Sequence, residues 1–388
     1  MSQSKRGKCH VTSSPGRYAS SAGRLAPVSG SAKQGVGSLS RQRQTHALFS
    51  LAIVAGCSSS ETADSRQLLV DSVDTLITAE SGLLASPVDI VVDERGAVLV
   101  LDRQSATVLR LPREGSGIES FGSEGQGPGE FRRPSVIVAG ADTVRVLDTG
   151  NGRVQVLSPR GDYVRSYPLS TESGLNHAFI AVNGSCVVAT GGLRGVLAAR
   201  YDPDGQFLSA VGEAIVPPVA VVDFPTMKRE AASGVIPQVL RNQLRPVLGS
   251  HGEVWLVLTA EGVVKKYDAA DSLVWERALE DPEMAYVMER FRTRNRESQD
   301  PSRFTPLVYV SDAVEHDGSL WMLMYGTEAR PAVVLGLSSE GSVAFRLVIP
   351  GAGGAGALAV DAQGRTLYLA VPSAATLLRV SLPNELPG

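Results

Sequence analysis

Three histidines follow residue 57, namely His177, His251 and His316, and three imidazoles meeting at one point can hold a catalytic zinc. Their local sequences argue against such a meeting. His251 in "SHGEV" and His316 in "EHDGS" fall in turns, whereas His177 opens an apolar, strand-like run, "HAFIAVN". The acid-rich stretches "DPDGQ" (202–206) and "EHDGS" (315–319) lack the alternating ligands of a calcium loop and read as tight turns. Arg160-Gly161-Asp162 is ordinary turn composition as well. Gly-x-Ser-x-Gly, Walker, His-Glu-x-x-His and dinucleotide fingerprints are all absent. No metal, no cofactor and no catalytic residue is therefore expected. What remains is a set of cations. Candidate residues for binding a ligand or partner are Arg103, Arg133, Asp148, Asn151, Arg153, His177, Arg194 and Arg245. Arg290 and Arg294 join them from an arginine-rich run that also holds Arg292 and Arg296. Guanidinium groups gathered on an acidic protein suit an anionic ligand or the acidic surface of a partner. The same residues also read as structural Asp–Arg pairs and a solvated helix face, and both readings stand at this point.

The charge is unevenly spread. No Asp or Glu occurs before Glu61, and eight Lys and Arg precede Cys57, so a chain of net charge −3 carries −11 from Cys57 onward. That acidic body excludes nucleic acid as a partner, because phosphates need a basic face. Arg41 and Arg43 followed by the apolar "ALFSLAIVAG" (47–56) have the form of an export signal, too short to span a bilayer. It ends in Val54-Ala55-Gly56-Cys57, which resembles the bacterial lipobox, so lipidation is expected at Cys57. Residues 1–40, rich in Ser, Gly and Arg, either extend the n-region or precede the true translation start. Ser58 rather than Asp after the cysteine resembles an outer-membrane sorting signal, and "SSSETADS" (58–65) reads as a polar tether. The expected division is a signal at 1–56, a tether at 57–65 and a folded body at 66–388, lipid-anchored in the cell envelope and monomeric. Cys186, in "CVVAT", is expected to fill the core.

The elements that position these residues recur. "RVQVLSPRGDYVRSY" (153–167) reads as strand, tight turn and strand, and the same shape returns around "YDPDGQF" (201–207) and "LSSEGSV" (337–343). Aligned on that turn, the chain falls into units of about 45 residues, the period of propeller blades. Five units offer four strands each (86–122, 135–169, 178–213, 246–280 and 308–349), and the sixth offers only three (356–381). "RQLLVDSVDTLI" (66–77) has no unit of its own and is expected to supply the missing strand, closing the ring and removing its exposed edges. An all-β, six-bladed β-propeller follows.

Two insertions, 215–245 and 281–307, break the period between a fourth strand and the next first strand. Both then lie on the face that carries the second-to-third-strand turns, as a partial lid over the channel. In the second, Asp281 caps and Pro282 starts a predicted helix whose Met284, Val287, Met288 and Phe291 share one side.

"FGSEGQGPGEFRRPSVIV" (121–138) followed by "VRVLDTGNGRVQVLSPRGDYV" (144–164) resembles an NHL-type repeat, in its Gly-Pro-Gly-Glu-Phe bridge and in Asp148, Asn151 and Arg153. The whole is similar to six-bladed propeller lipoproteins of bacteria. The expected role is a lipid-anchored binding or scaffold module. The alternative is a propeller enzyme of lyase, lactonase or hydrolase type, with its site at the channel mouth under the insertions.

Overall fold

The second strands of the repeats are largely apolar runs, "VLVLD", "VRVLD" and "VWLVL", and the reason is their place in the fold. In a computed structural model of the chain all three are buried along their whole length, because a neighbouring blade covers each face. Residues 67–113, 117–169, 178–180, 185–219, 221–300 and 302–383 are described. The chain divides between Ser59 and Ser60, and every described residue belongs to the second part. Six small sheets form the blades, their strands laid down in chain order from the channel outward except for the N-terminal strands that join blades 5 and 6, and a short parallel pair, Ser123–Glu124 with Glu130–Phe131, lies between blades 1 and 2. The first strands are Pro87–Val92, Pro134–Ala139, Ala178–Ile180, Leu244–Leu248, Val310–His316 and Ala357–Val360. The expected six-bladed propeller is what forms. Cys186 is buried in the second strand of blade 3, and burial pushes its thiol up to about 12.

The apolar core lies between blades rather than within them. Separate clusters fill the six junctions, for instance Leu101, Val108 and Phe131 with Val146 between blades 1 and 2. The repeated turn between third and fourth strands explains how neighbours interlock. Gly161 there has φ +94°, and a Cβ on it would strike the Phe121 ring of the preceding blade. Gly205 and Gly341 stand at the same place in later blades, against Pro168 and Trp275. Each of these turns needs both the left-handed backbone and the missing side chain.

Closure is more elaborate than one donated strand. The N-terminal segment splits into two strands, β1 (Gln67–Leu69) and β2 (Ser72–Ile77). β2 pairs antiparallel with the third strand of blade 6, Ser72 opposite Ser381, and so completes the sheet as expected. β1 instead runs parallel to the fourth strand of blade 5, Gln67 opposite Arg346, and gives that blade a fifth strand. Leu68 sets the choice, since it is buried in the cluster between blades 5 and 6 while Leu69 faces solvent.

The two insertions carry helices α1 (Phe224–Ala232), α2 (Gln238–Arg241) and α3 (Pro282–Glu297). Asp281 caps α3 as expected, accepting from the Glu283 amide at 2.8 Å. Arg330 clamps the start of α3 to blade 5 through a two-pronged contact with Glu283, and Arg346 bonds Asp281 at 2.8 Å. Among the described residues no helix is long and apolar enough to cross a membrane.

Candidate functional site

Two of the first strands carry an aspartate at the same place. Asp89 follows an irregularity in the pairing of blade 1 and lies opposite Leu101; Asp312 follows the same irregularity in blade 5, opposite Leu323. Each carboxylate accepts the amide of the next residue, Ile90 or Ala313, at 3.0 and 2.9 Å. Each also accepts an amide from the following blade's first strand, Ile137 at 2.7 Å or Leu358 at 2.8 Å. The two aspartates thus tie four inner strands together around the bore. Arg245, opposite Val257 in blade 4, completes the group with an ion pair to Asp312 at 3.0 Å and a bond to the Ser311 carbonyl at 2.6 Å.

These residues line a channel cavity of about 190 Å³, with Val136, Val138 and Val360 among its apolar walls and His316 towards the far end. Enclosure by protein raises the Asp89 carboxyl to about 8, and the nearby Asp312 adds to the effect. Burial likewise raises Asp312, against the pull of Arg245. Asp89 still touches the bore, whereas Asp312 is almost wholly buried. Arg103 reaches from its turn to the Pro134 carbonyl at 3.2 Å, and desolvation followed by repulsion from Arg133 lowers its affinity for a proton. Arg103 therefore stands near both Arg133 and Asp89 at one rim of the mouth.

At the other rim, α3 overhangs an open cavity of about 630 Å³ between blades 5 and 6. Tyr286, Arg290 and Arg294 line it from the helix, and Ser311, Tyr325, Thr327 and Glu328 line it from blade 5. Ser311 belongs to both arrangements, since its carbonyl holds Arg245 while it borders this cavity. The two cavities therefore lie on either side of the start of this strand, Ser311 bordering one and Asp312 the other.

The described candidates read from sequence separate into three placements. Arg103, Arg133, Arg245, Arg290 and Arg294 stand around the mouth. Arg194 is exposed on a lid-face turn of blade 3 in a left-handed conformation. Asp148, Asn151 and Arg153 hold the bridge between blades 1 and 2. Asp148 is fully buried and accepts the Arg132 amide, Asn151 and Arg153, while Arg153 also donates to the carbonyls of Gly127 and Glu130. Their polar groups are satisfied inside the fold and do not face the mouth. His177 and Cys57 lie outside the described residues. His251 bonds Ser250 in its turn, and His316 lies 3.6 Å from Asp317. No three His, Cys, Asp or Glu side chains among the described residues are placed to hold one metal ion.

Sequence reasoning missed Asp89 and Asp312. The signal was present, as an acid at the same depth of two otherwise apolar first strands, "SPVDIVVD" and "YVSDAV".

No protein-family model matches the chain, and no curated protein matches it in sequence. Solved structures share its architecture. A luciferin-regenerating enzyme is 13% identical, with a TM-score of 0.50 over 82% of this chain and 97% of that one. The virginiamycin B lyase from Staphylococcus aureus is 11% identical, with a TM-score of 0.49 over 80% of this chain and 99% of its own. Identities this low speak for the fold alone. The class is a six-bladed β-propeller with two helical insertions.

Proposed function

We propose that the chain is a lipid-anchored, ligand-binding propeller of the cell envelope, and that its lid-face mouth captures an anionic ligand. One observation carries the reading. Arg290 and Arg294 border the 630 Å³ cavity, and neither has an acidic partner among the described residues. Neighbouring cations are paired, Arg292 with Glu289, Arg330 with Glu283 and Arg346 with Asp281, while Arg296 donates to Thr293 and borders a different cavity. Two uncompensated guanidinium groups over a cavity are a standing site for carboxylate or phosphate oxygens. The lipid anchor rests on the lipobox-like Val54-Ala55-Gly56-Cys57. Titration calorimetry with tripolyphosphate tests the binding. Wild-type protein should bind, and Arg290→Ala with Arg294→Ala should weaken binding at least tenfold, about 1.4 kcal/mol. Equal binding by the double variant would remove the site from this cavity.

A second reading, a propeller enzyme, draws on Asp89. A carboxyl kept protonated near neutral pH beside a second carboxyl is a usable general acid. It would require an activity that is lost in Asp89→Asn and falls as pH rises past about 8. Asp312, the second carboxyl, is engaged by Arg245, which favours the binding reading.

A further inference from the structure

Resting on that reading, we infer that the ligand is a short acidic peptide, bound extended along α3, with two carboxylates spaced two residues apart. Tyr286, Arg290 and Arg294 recur every fourth residue and form one stripe of the helix, beside the buried stripe of Glu283, Val287, Phe291 and Asn295. Arg290 and Arg294 are separated by a rise of about 6 Å along the helix axis. In an extended chain, side chains on one face repeat at about 6.6 Å. The two spacings match, so carboxylates at alternate positions of a strand can meet both guanidinium groups at once. Adjacent acids point to opposite faces of the strand, and acids four apart overshoot the pair.

The shape of the cavity agrees. Its helical wall, Tyr286 to Arg294, runs for about 12 Å, enough for about four residues of extended chain. Gly326, Gly354 and Gly356 form part of the floor, so main chain rather than side chains faces the ligand there. Tyr325, which lies under the Arg290 guanidinium at 5.7 Å from ring centre to Cζ, helps to hold that cation over the cavity. Glu328 on the opposite wall repels acids placed off the arginine stripe, which limits the acids to the two that face Arg290 and Arg294.

The test uses fluorescence polarisation with labelled eight-residue peptides of equal net charge, each with two glutamates in a Gly-Ser background. The glutamates are adjacent, two apart or four apart. The peptide with glutamates two apart should bind at least tenfold tighter than the other two, and Arg290→Ala with Arg294→Ala should abolish the preference. Gly326→Leu supplies a check that leaves both charges in place. A Cβ at Gly326 meets only the Pro331 carbonyl oxygen at 3.9 Å, so the fold accepts a side chain that projects into the cavity. That variant should melt as wild type does and lose the peptide. Equal binding of all three peptides, still dependent on the arginines, would overturn the peptide geometry and leave anion capture standing. Absence of both peptide and tripolyphosphate binding would overturn the two together.

Discussion

At the scale of residues, the buried carboxylates divide by what surrounds them. Asp102 is fully buried and accepts four backbone amides, from Ala85, Ser86, Gln104 and Ser105. Asp102→Ala leaves those donors without an acceptor and should cost about 4 kcal/mol, read from the urea midpoint. Asp89 differs because its environment opposes the charge. An unfolded aspartate loses its proton near about pH 3.9, whereas folded Asp89 holds it to about 8. Between those values the native state binds a proton that the unfolded chain has lost, so stability falls as pH rises through the window. Asp89→Asn removes that titration, and its urea midpoint should vary less than wild type's between about pH 5 and 8. Equal slopes would show that Asp89 is already ionised. Pattern reasoning placed Arg103, Arg245, Arg290 and Arg294 on the lid face, because repeat turns, first strands and the second insertion each have a fixed place in a propeller. It passed over Asp89 because one acid inside an apolar run leaves the apparent strand unchanged.

The same limit operates on elements. The cap at Asp281, the helix after it and the side facing the blades were legible in "DPEMAYVMERF", since proline and apolar spacing act locally. How firmly the helix is held was not legible, because that depends on distant residues. Viewed as an addition to the ring, α3 ought to be removable in favour of a short Gly-Ser connection without harm to the fold. Its contacts say otherwise. Val287 and Phe291 are buried in the cluster between blades 4 and 5, where Phe291 meets Phe304 edge to face at 6.2 Å. Phe291→Ala should therefore destabilise the whole propeller by about 3–5 kcal/mol. Arg290→Ala and Arg294→Ala, on the cavity stripe, should leave the melting temperature within a degree or two, about 0.5 kcal/mol. A comparable loss from both kinds of variant would mean that the cavity stripe is itself part of the core.

At the scale of the molecule, the count of strands revealed that the last blade was incomplete and which segment could complete it. It did not reveal that "RQLLVDSVDTLI" serves two blades, because the break depends on the burial of a single residue, Leu68, against Leu347 and Leu378. The division makes the clasp graded. β1 adds three residues to an already complete four-stranded blade, so its loss exposes Leu68's site and one strand edge, worth about 2 kcal/mol. β2 supplies the outer strand that blade 6 lacks, with Asp74 and Arg379 paired across it at 2.8 Å. Without β2, the third strand of blade 6 becomes a bare edge able to pair with another chain. A chain beginning at Ser72 should remain monomeric and melt several degrees early, whereas one beginning at Thr78 should melt far earlier and aggregate on warming. Size-exclusion chromatography with thermal melts of both truncations measures the difference. If the two behave alike, the ring is closed by its apolar junctions, and the N-terminal strands merely lie against it.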